Sequence, residues 1–198
     1  MFVRLLESFL SNVTTTLYKG VIKISDKKNK VVLIGMPGSG KTTLGKLLSK
    51  RLNYNFLDMD EYIEEIANKS IKKIFDDDGE KVFRNLETKA CKDIVDRKKL
   101  VISSGGGVIK KSINIEILKK DCIVVFVDRP IENIINQLSL DEINSRPLLK
   151  GKKDTIYSLY EKRYELYKSA CDIQVKNDKS LSNTINEIVN LLGKRLEG

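Results

Sequence analysis

A chain of 198 residues, 41% hydrophobic and 32% charged, has the composition of one soluble globular domain and the length to bury a core, and it holds no run near the roughly 18 apolar residues of a membrane helix. The absence of histidine excludes His-based triads and His-ligated metals, so any general base must be a carboxylate, lysine, tyrosine or thiolate. The net charge of +9 rests on lysine pairs spread along the chain without interleaved aromatics, a pattern of solvated faces and a basic cleft for anionic substrates rather than a nucleic-acid surface.

The first 30 residues stand apart. Phe2, Leu5, Leu6, Phe9 and Leu10 form an amphipathic stretch, and Asp26-Lys27-Lys28-Asn29-Lys30 follows as a polar run. Glu7 interrupts the apolar region and no clean basic segment precedes it, which argues against a signal peptide. Arg4 and the Ser/Thr content leave a transit peptide open, but a surface helix with a linker is the expectation, so 1–30 is an N-terminal extension and 31–198 the domain. Cys91, Cys122 and Cys171 contain no C-x-x-C pair and leave one unpaired, which predicts reduced thiols in the cytosol.

The apolar run Val31-Val32-Leu33-Ile34 predicts a buried strand, and Gly35-Met36-Pro37-Gly38-Ser39-Gly40-Lys41-Thr42 after it fits G-x-x-x-x-G-K-[ST]. Leu44, Leu47 and Leu48 then predict an amphipathic helix over about 41–52. A strand, a glycine-rich turn and a helix N-terminus in that order converge successive backbone N–H groups on one point where a polyphosphate can sit. Gly38, Ser39, Gly40, Lys41, Thr42 and Thr43 are therefore candidate nucleotide-binding residues, with Lys41 reaching the β- and γ-phosphates and the Thr42 hydroxyl ligating Mg²⁺.

A short strand over 56–58 ends in Asp58-Met59-Asp60. Residues two apart in an extended segment point the same way, so both carboxylates are expected to project from one strand end, one helping to hold Mg²⁺ through water and the other accepting a hydroxyl proton. Asp60 also suits the cap of the next helix. Helices are predicted over about 60–67 and 80–97, then a strand over 100–103 ending in Ser103-Ser104-Gly105-Gly106-Gly107, where bare backbone lets a substrate approach closely. That strand end offers no carboxylate for Mg²⁺, which leaves Ser103 and Asp58 beside Thr42 as the metal-side oxygens. A helix over about 111–119, a strand over 123–128, helices over about 131–139 and 155–169, a strand over 173–175 and a helix over about 181–196 complete the chain. Strands alternating with helices predict an α/β fold, a five-stranded parallel sheet with helices on both faces and ligands at the carboxyl ends of the strands.

Several motifs in this order resemble the shikimate kinase family. They are the phosphate loop at 35–42, D-x-D at 58–60, Ile74-Phe75 with Gly79-Glu80, Phe83-Arg84 with Glu87, the glycines at 105–107, Arg146-Pro147-Leu148-Leu149, and Arg163 ahead of Leu166-Tyr167. The resemblance spans about residues 31–192 and implies a three-layer α/β/α P-loop NTPase fold with a mobile lid over about 140–154. It implies ATP as phosphoryl donor, Mg²⁺ as cofactor and the 3-hydroxyl of shikimate as acceptor, a step of chorismate and aromatic amino acid biosynthesis. Asp60 would bind the shikimate hydroxyls and act as base, Arg84 and Arg163 would hold its carboxylate, and Gly105, Gly106 and Gly107 would line it, Gly106 through its backbone. Arg146 would close from the lid onto the ATP phosphates as a catalytic residue. A monomeric cytoplasmic enzyme is implied, with no nucleic-acid or membrane partner.

Two departures stand out. The family places an adenine-stacking arginine on the helix before the lid, where this chain has Gln137, and the stretch from Gln137 to Arg146 is about two residues longer than usual. A gluconate kinase or nucleoside monophosphate kinase of the same fold is the nearest rival. A GTPase-like switch would match Asp76-Asp77-Asp78-Gly79 but lacks the base-reading N-K-x-D, since Asn68-Lys69-Ser70-Ile71 ends in isoleucine.

Overall fold

The structure is a computed structural model that describes residues 28–137 and 153–196. Expectations for residues 1–27, and for residues 140–152 of the lid with Arg146, lie outside the described residues; the last two lid positions, 153–154, already belong to the helix that follows.

Five strands form one parallel sheet: β1 (Lys30–Ile34), β2 (Asn55–Asp58), β3 (Leu100–Ser103), β4 (Cys122–Asp128) and β5 (Ile173–Lys176), in the order β2-β3-β1-β4-β5. Between them run α1 (Lys41–Leu52), α2 (Met59–Ala67), α3 (Gly79–Asp93), α4 (Ser112–Asp121), α5 (Ile131–Gln137) and α6 (Lys153–Ala170), and α7 (Leu181–Leu196) follows β5. The three-layer architecture is written in the period of β1. Val31 and Leu33 face one side, packing with Leu44 and Leu48 of α1 and Ile185, Ile188 and Leu192 of α7. Val32 and Ile34 face the other, where Ile63, Phe83, Ala90, Leu118 and Tyr167 from α2, α3, α4 and α6 cover the sheet. A strand apolar on both faces is stable only between two helical layers, which is why this run does not alternate.

The chain moves outward from β1 to β2, returns to β3 beside β1, then crosses to β4 on the other side. That reversal opens a crevice at the carboxyl end of β1, where the phosphate loop begins.

Three differences from expectation bear on the site, beyond shifts of a residue or two at element ends. The long helix stops at Asp93 rather than near 97, because the chain turns there and the buried Lys30 ammonium takes the carbonyls of Ile94 and Val95. The segment before it is helical too, a turn at Ile71–Lys73 running into a π-helical stretch at Ile74–Asp78. The helix after β2 starts at Met59, with the Asp58 side chain as its cap and Asp60 already inside its first turn.

Candidate active site

The phosphate loop needs its glycines for two different reasons. Gly35, Gly38 and Gly40 have φ of 146°, 79° and 92°, a region L side chains rarely adopt. Gly40 also has no room, since a Cβ there would lie 2.8 Å from Asn177 Nδ2. Lys41 opens α1 and is buried, its Nζ donating to the carbonyls of Gly35 (3.0 Å) and Met36 (2.9 Å), so the ammonium is held across the mouth of the loop. From outside the motif, Asn177 braces the turn. Its Nδ2 donates to Ser39 O at 2.8 Å and its backbone N–H to Asp128 O at 2.7 Å. Motif reasoning passed over Asn177; the available signal was its place just past β5, at the carboxyl edge where ligands sit.

The three proposed metal-side oxygens come together. Thr42 Oγ1 donates to Asp58 Oδ2 at 2.9 Å and lies 3.1 Å from Ser103 Oγ. Among the described residues there is no cluster of three or more acidic or cysteine side chains poised for a metal. Two hydroxyls and one carboxylate are nevertheless hard oxygen donors of the kind that share Mg²⁺ with substrate phosphates.

The D-x-D pair does not act from one extended segment. Because β2 ends at Asp58, the two carboxylates part: Asp58 Oδ2 faces Thr42 and its Oδ1 accepts from the Asp60 N–H at 3.0 Å, while the Asp60 side chain turns to the glycine loop.

That loop explains itself glycine by glycine. A Cβ on Gly105 would lie 2.6 Å from Asp60 Oδ1, one on Gly106 would lie 2.8 Å from Pro37 Cδ of the phosphate loop, and one on Gly107 would overlap the Arg84 guanidinium. Three successive bare positions therefore let the carboxylate, the phosphate loop and an arginine close on one strand end. Arg84 is buried and bidentate, its Nη1 donating to both Glu87 oxygens at 3.0 Å and its Nε to Glu80 at 3.2 Å. Burial pushes the Glu87 carboxyl up, and the Arg84 guanidinium opposes that; Asp60 and Arg163 are also near enough to act on it. Arg163, on α6, donates from Nη1 to Gly106 O at 2.9 Å, and the Tyr167 hydroxyl donates to the same carbonyl. Burial raises that phenol to about 12, so it stays a donor. With both lone pairs of its carbonyl engaged by protein, Gly106 can meet a ligand only through its N–H. Tyr167, to which the motif pattern assigns no role, anchors the loop to α6.

On the other side of the phosphate loop, a cavity of about 240 Å³ lies between Gly40 and Thr43 on one wall and Arg129, Asn133, residues 177–179 and Leu181 on the other. The Gln137 side chain and Arg146 lie outside the described residues.

The family model for shikimate kinase matches residues 37–193. The chain is 46% identical over 170 residues to a shikimate kinase of Clostridium beijerinckii, covering 86% of this chain and 98% of that one. It is 48% identical over 165 residues to a shikimate kinase of Clostridium botulinum, covering 83% and 98%. Among solved structures it is similar to a shikimate kinase from Acinetobacter baumannii in complex with shikimate, with a TM-score of 0.80, 31% identity and coverage of 87% and 97%. A gluconokinase from Sinorhizobium meliloti, at a TM-score of 0.56 and 15% identity over 86% of this chain and 95% of that one, shares the fold alone.

Proposed function

The chain belongs to the shikimate kinase family, and on that premise we propose that it transfers the γ-phosphoryl group of ATP to the 3-hydroxyl of shikimate. The observation that supports this best is the glycine seam at 105–107, which brings Asp60, Arg84 and the phosphate loop to one strand end. A carboxylate to take a hydroxyl proton, a guanidinium to bind a carboxylate and a cradle for phosphates are what a small acidic polyol and ATP require of one site.

In this reading the phosphates lie along Gly38–Thr42 with Lys41 at the β- and γ-phosphates. Thr42, Ser103 and, through water, Asp58 would hold Mg²⁺, whose charge offsets that of the phosphates. Arg84, through the Nη2 that Glu87 and Glu80 leave unused, and Arg163 together take the shikimate carboxylate, because planar guanidinium N–H groups match its two oxygens. Glu87 holds Arg84 in place against Gly107. The acceptor oxygen bonds to the γ-phosphorus as the bridging β–γ oxygen bond breaks; the hydroxyl proton passes to Asp60 and the electron pair leaves with ADP. Arg146, by its motif, would close over the phosphates from the lid. Catalysis is then positioning and charge stabilisation. A monomeric cytoplasmic enzyme acting only on small molecules is part of the same proposal; among the described residues no helix is long and apolar enough to cross a membrane.

The direct test measures ADP release with shikimate, gluconate and nucleoside monophosphates as acceptors. Release with shikimate alone is expected, and turnover only with another acceptor would reject the reading. Arg84→Lys should raise KM for shikimate about tenfold or more and leave KM for ATP nearly unchanged, because lysine keeps the charge but loses the fork. Equal effects on both substrates would make Arg84 a support of the fold. Asp58→Asn should raise the Mg²⁺ concentration needed for half-maximal rate by about tenfold; an unchanged Mg²⁺ titration would remove Asp58 from the metal side.

A further inference from the structure

We propose that Arg129 is a nucleotide-binding residue that holds the base and ribose end of ATP in the cavity beside the phosphate loop. The proposal deepens the kinase reading and rests on it. Arg129 immediately follows β4 at the carboxyl edge of the sheet, next to the strand that feeds the phosphate loop. Its Nη1 lies 3.9 Å from where a side chain on Gly40 would begin, so the guanidinium stands over the loop at the start of α1.

The cavity is the natural continuation of the phosphate track. Gly40 and Thr43 form one wall of it, so a chain of phosphates seated with its terminal groups at Lys41 delivers the nucleoside there. Among the described residues the lining has no aromatic ring to stack on a base; Arg129 supplies the planar cationic surface. The other cation of the wall, Lys179, is paired with Glu187 at 3.7 Å, whereas no carboxylate among the described residues lies within ion-pair distance of Arg129. Arg129 Nε is buried with no hydrogen-bond partner among the described residues. A buried donor left unmatched is unfavourable, and an acceptor on the nucleoside would match it. Asn133, on the same wall, adds an amide donor and acceptor that a base edge can use, while the Asn177 amide stays with Ser39 and Thr184.

The test compares two probes by calorimetry on the full chain, without shikimate or turnover: ADP, which carries the nucleoside, and inorganic tripolyphosphate, which does not. Arg129→Ala should weaken ADP binding by roughly 2- to 30-fold, the range of a cation–π contact at different degrees of desolvation, and leave tripolyphosphate binding unchanged. Unchanged tripolyphosphate binding also certifies that the variant folds. Arg129→Lys should weaken ADP nearly as much as alanine, because the planar face and the Nε–H are lost while the charge stays. Equal losses for both probes would make Arg129 a phosphate ligand and overturn the proposal, as would full ADP affinity in either variant. Failure of the unsubstituted chain to bind either probe would instead overturn the nucleotide reading beneath it.

Discussion

Lys41→Ala is expected to lower kcat by about 100- to 1,000-fold while the chain still folds, the typical loss for one preorganised charge aimed at the transition state. The Lys41 side chain is buried and bridges the carbonyls of Gly35 and Met36, so its ammonium is fixed over the loop before any phosphate arrives. A charge already in position needs no reorganisation when the γ-phosphoryl group departs, which is what makes it effective in a site that excludes water. Alanine removes that charge and leaves two carbonyls short of a donor, a stability loss of about 1–3 kcal/mol for each one that water does not reach, which a domain of this size can absorb. Single-turnover phosphoryl transfer and a thermal melt together separate the two effects. A variant that melts within a few degrees of the parent and keeps more than about a tenth of its rate would remove Lys41 from the mechanism, since the smallest loss considered typical is larger than that.

The parts of this site legible in the sequence were those whose physics is local. The phosphate loop depends on glycines at fixed spacing between an apolar strand and an amphipathic helix, and Gly35, Gly38 and Gly40 adopt the positive φ that this spacing requires. The run Gly105-Gly106-Gly107 was legible as a place of close approach, but what approaches includes the protein itself: Asp60, Pro37 and Arg84. Asp58-Met59-Asp60 has the pattern of one extended segment, and the strand ends inside it, because Asp58 caps the following helix through the Asp60 N–H. Other functional candidates were invisible for a different reason. Asn177 reaches Ser39 across 138 residues of chain and Tyr167 reaches Gly106 across 61, and no local period encodes such a pairing. Arg129 belongs with them: as one basic residue at a strand end it carries no signal until the sheet order sets β4 beside β1.

Asp60→Asn is expected to leave ADP and ATP binding within about twofold of the parent and to slow phosphoryl transfer to shikimate by about 100- to 10,000-fold, the range for loss of a positioned general base. The Asp60 carboxylate lies in the first turn of α2, against Gly105 and with its charge acting on buried Glu87, the side of the site proposed for the acceptor. Asp58, two residues earlier, faces Thr42 on the phosphate side. Asparagine keeps the shape and one acceptor oxygen, so the loop at 105–107 should stay closed; what disappears is the ability to take the proton that the acceptor hydroxyl must lose as it bonds to phosphorus. The division of labour between the two carboxylates makes this separable from a metal effect: the Asp60 variant should show an unchanged Mg²⁺ titration, whereas the Asp58 variant should not. Lys110 and Arg84 both hold Glu80, so the wall beyond Glu87 is tied independently of Asp60 and should survive the substitution. Full single-turnover activity in Asp60→Asn would sink the assignment and leave the proton to solvent or to the phosphate itself. A loss that appears equally in ADP affinity would instead mean that the substitution had opened the seam between Gly106 and Pro37 and disturbed the phosphate loop.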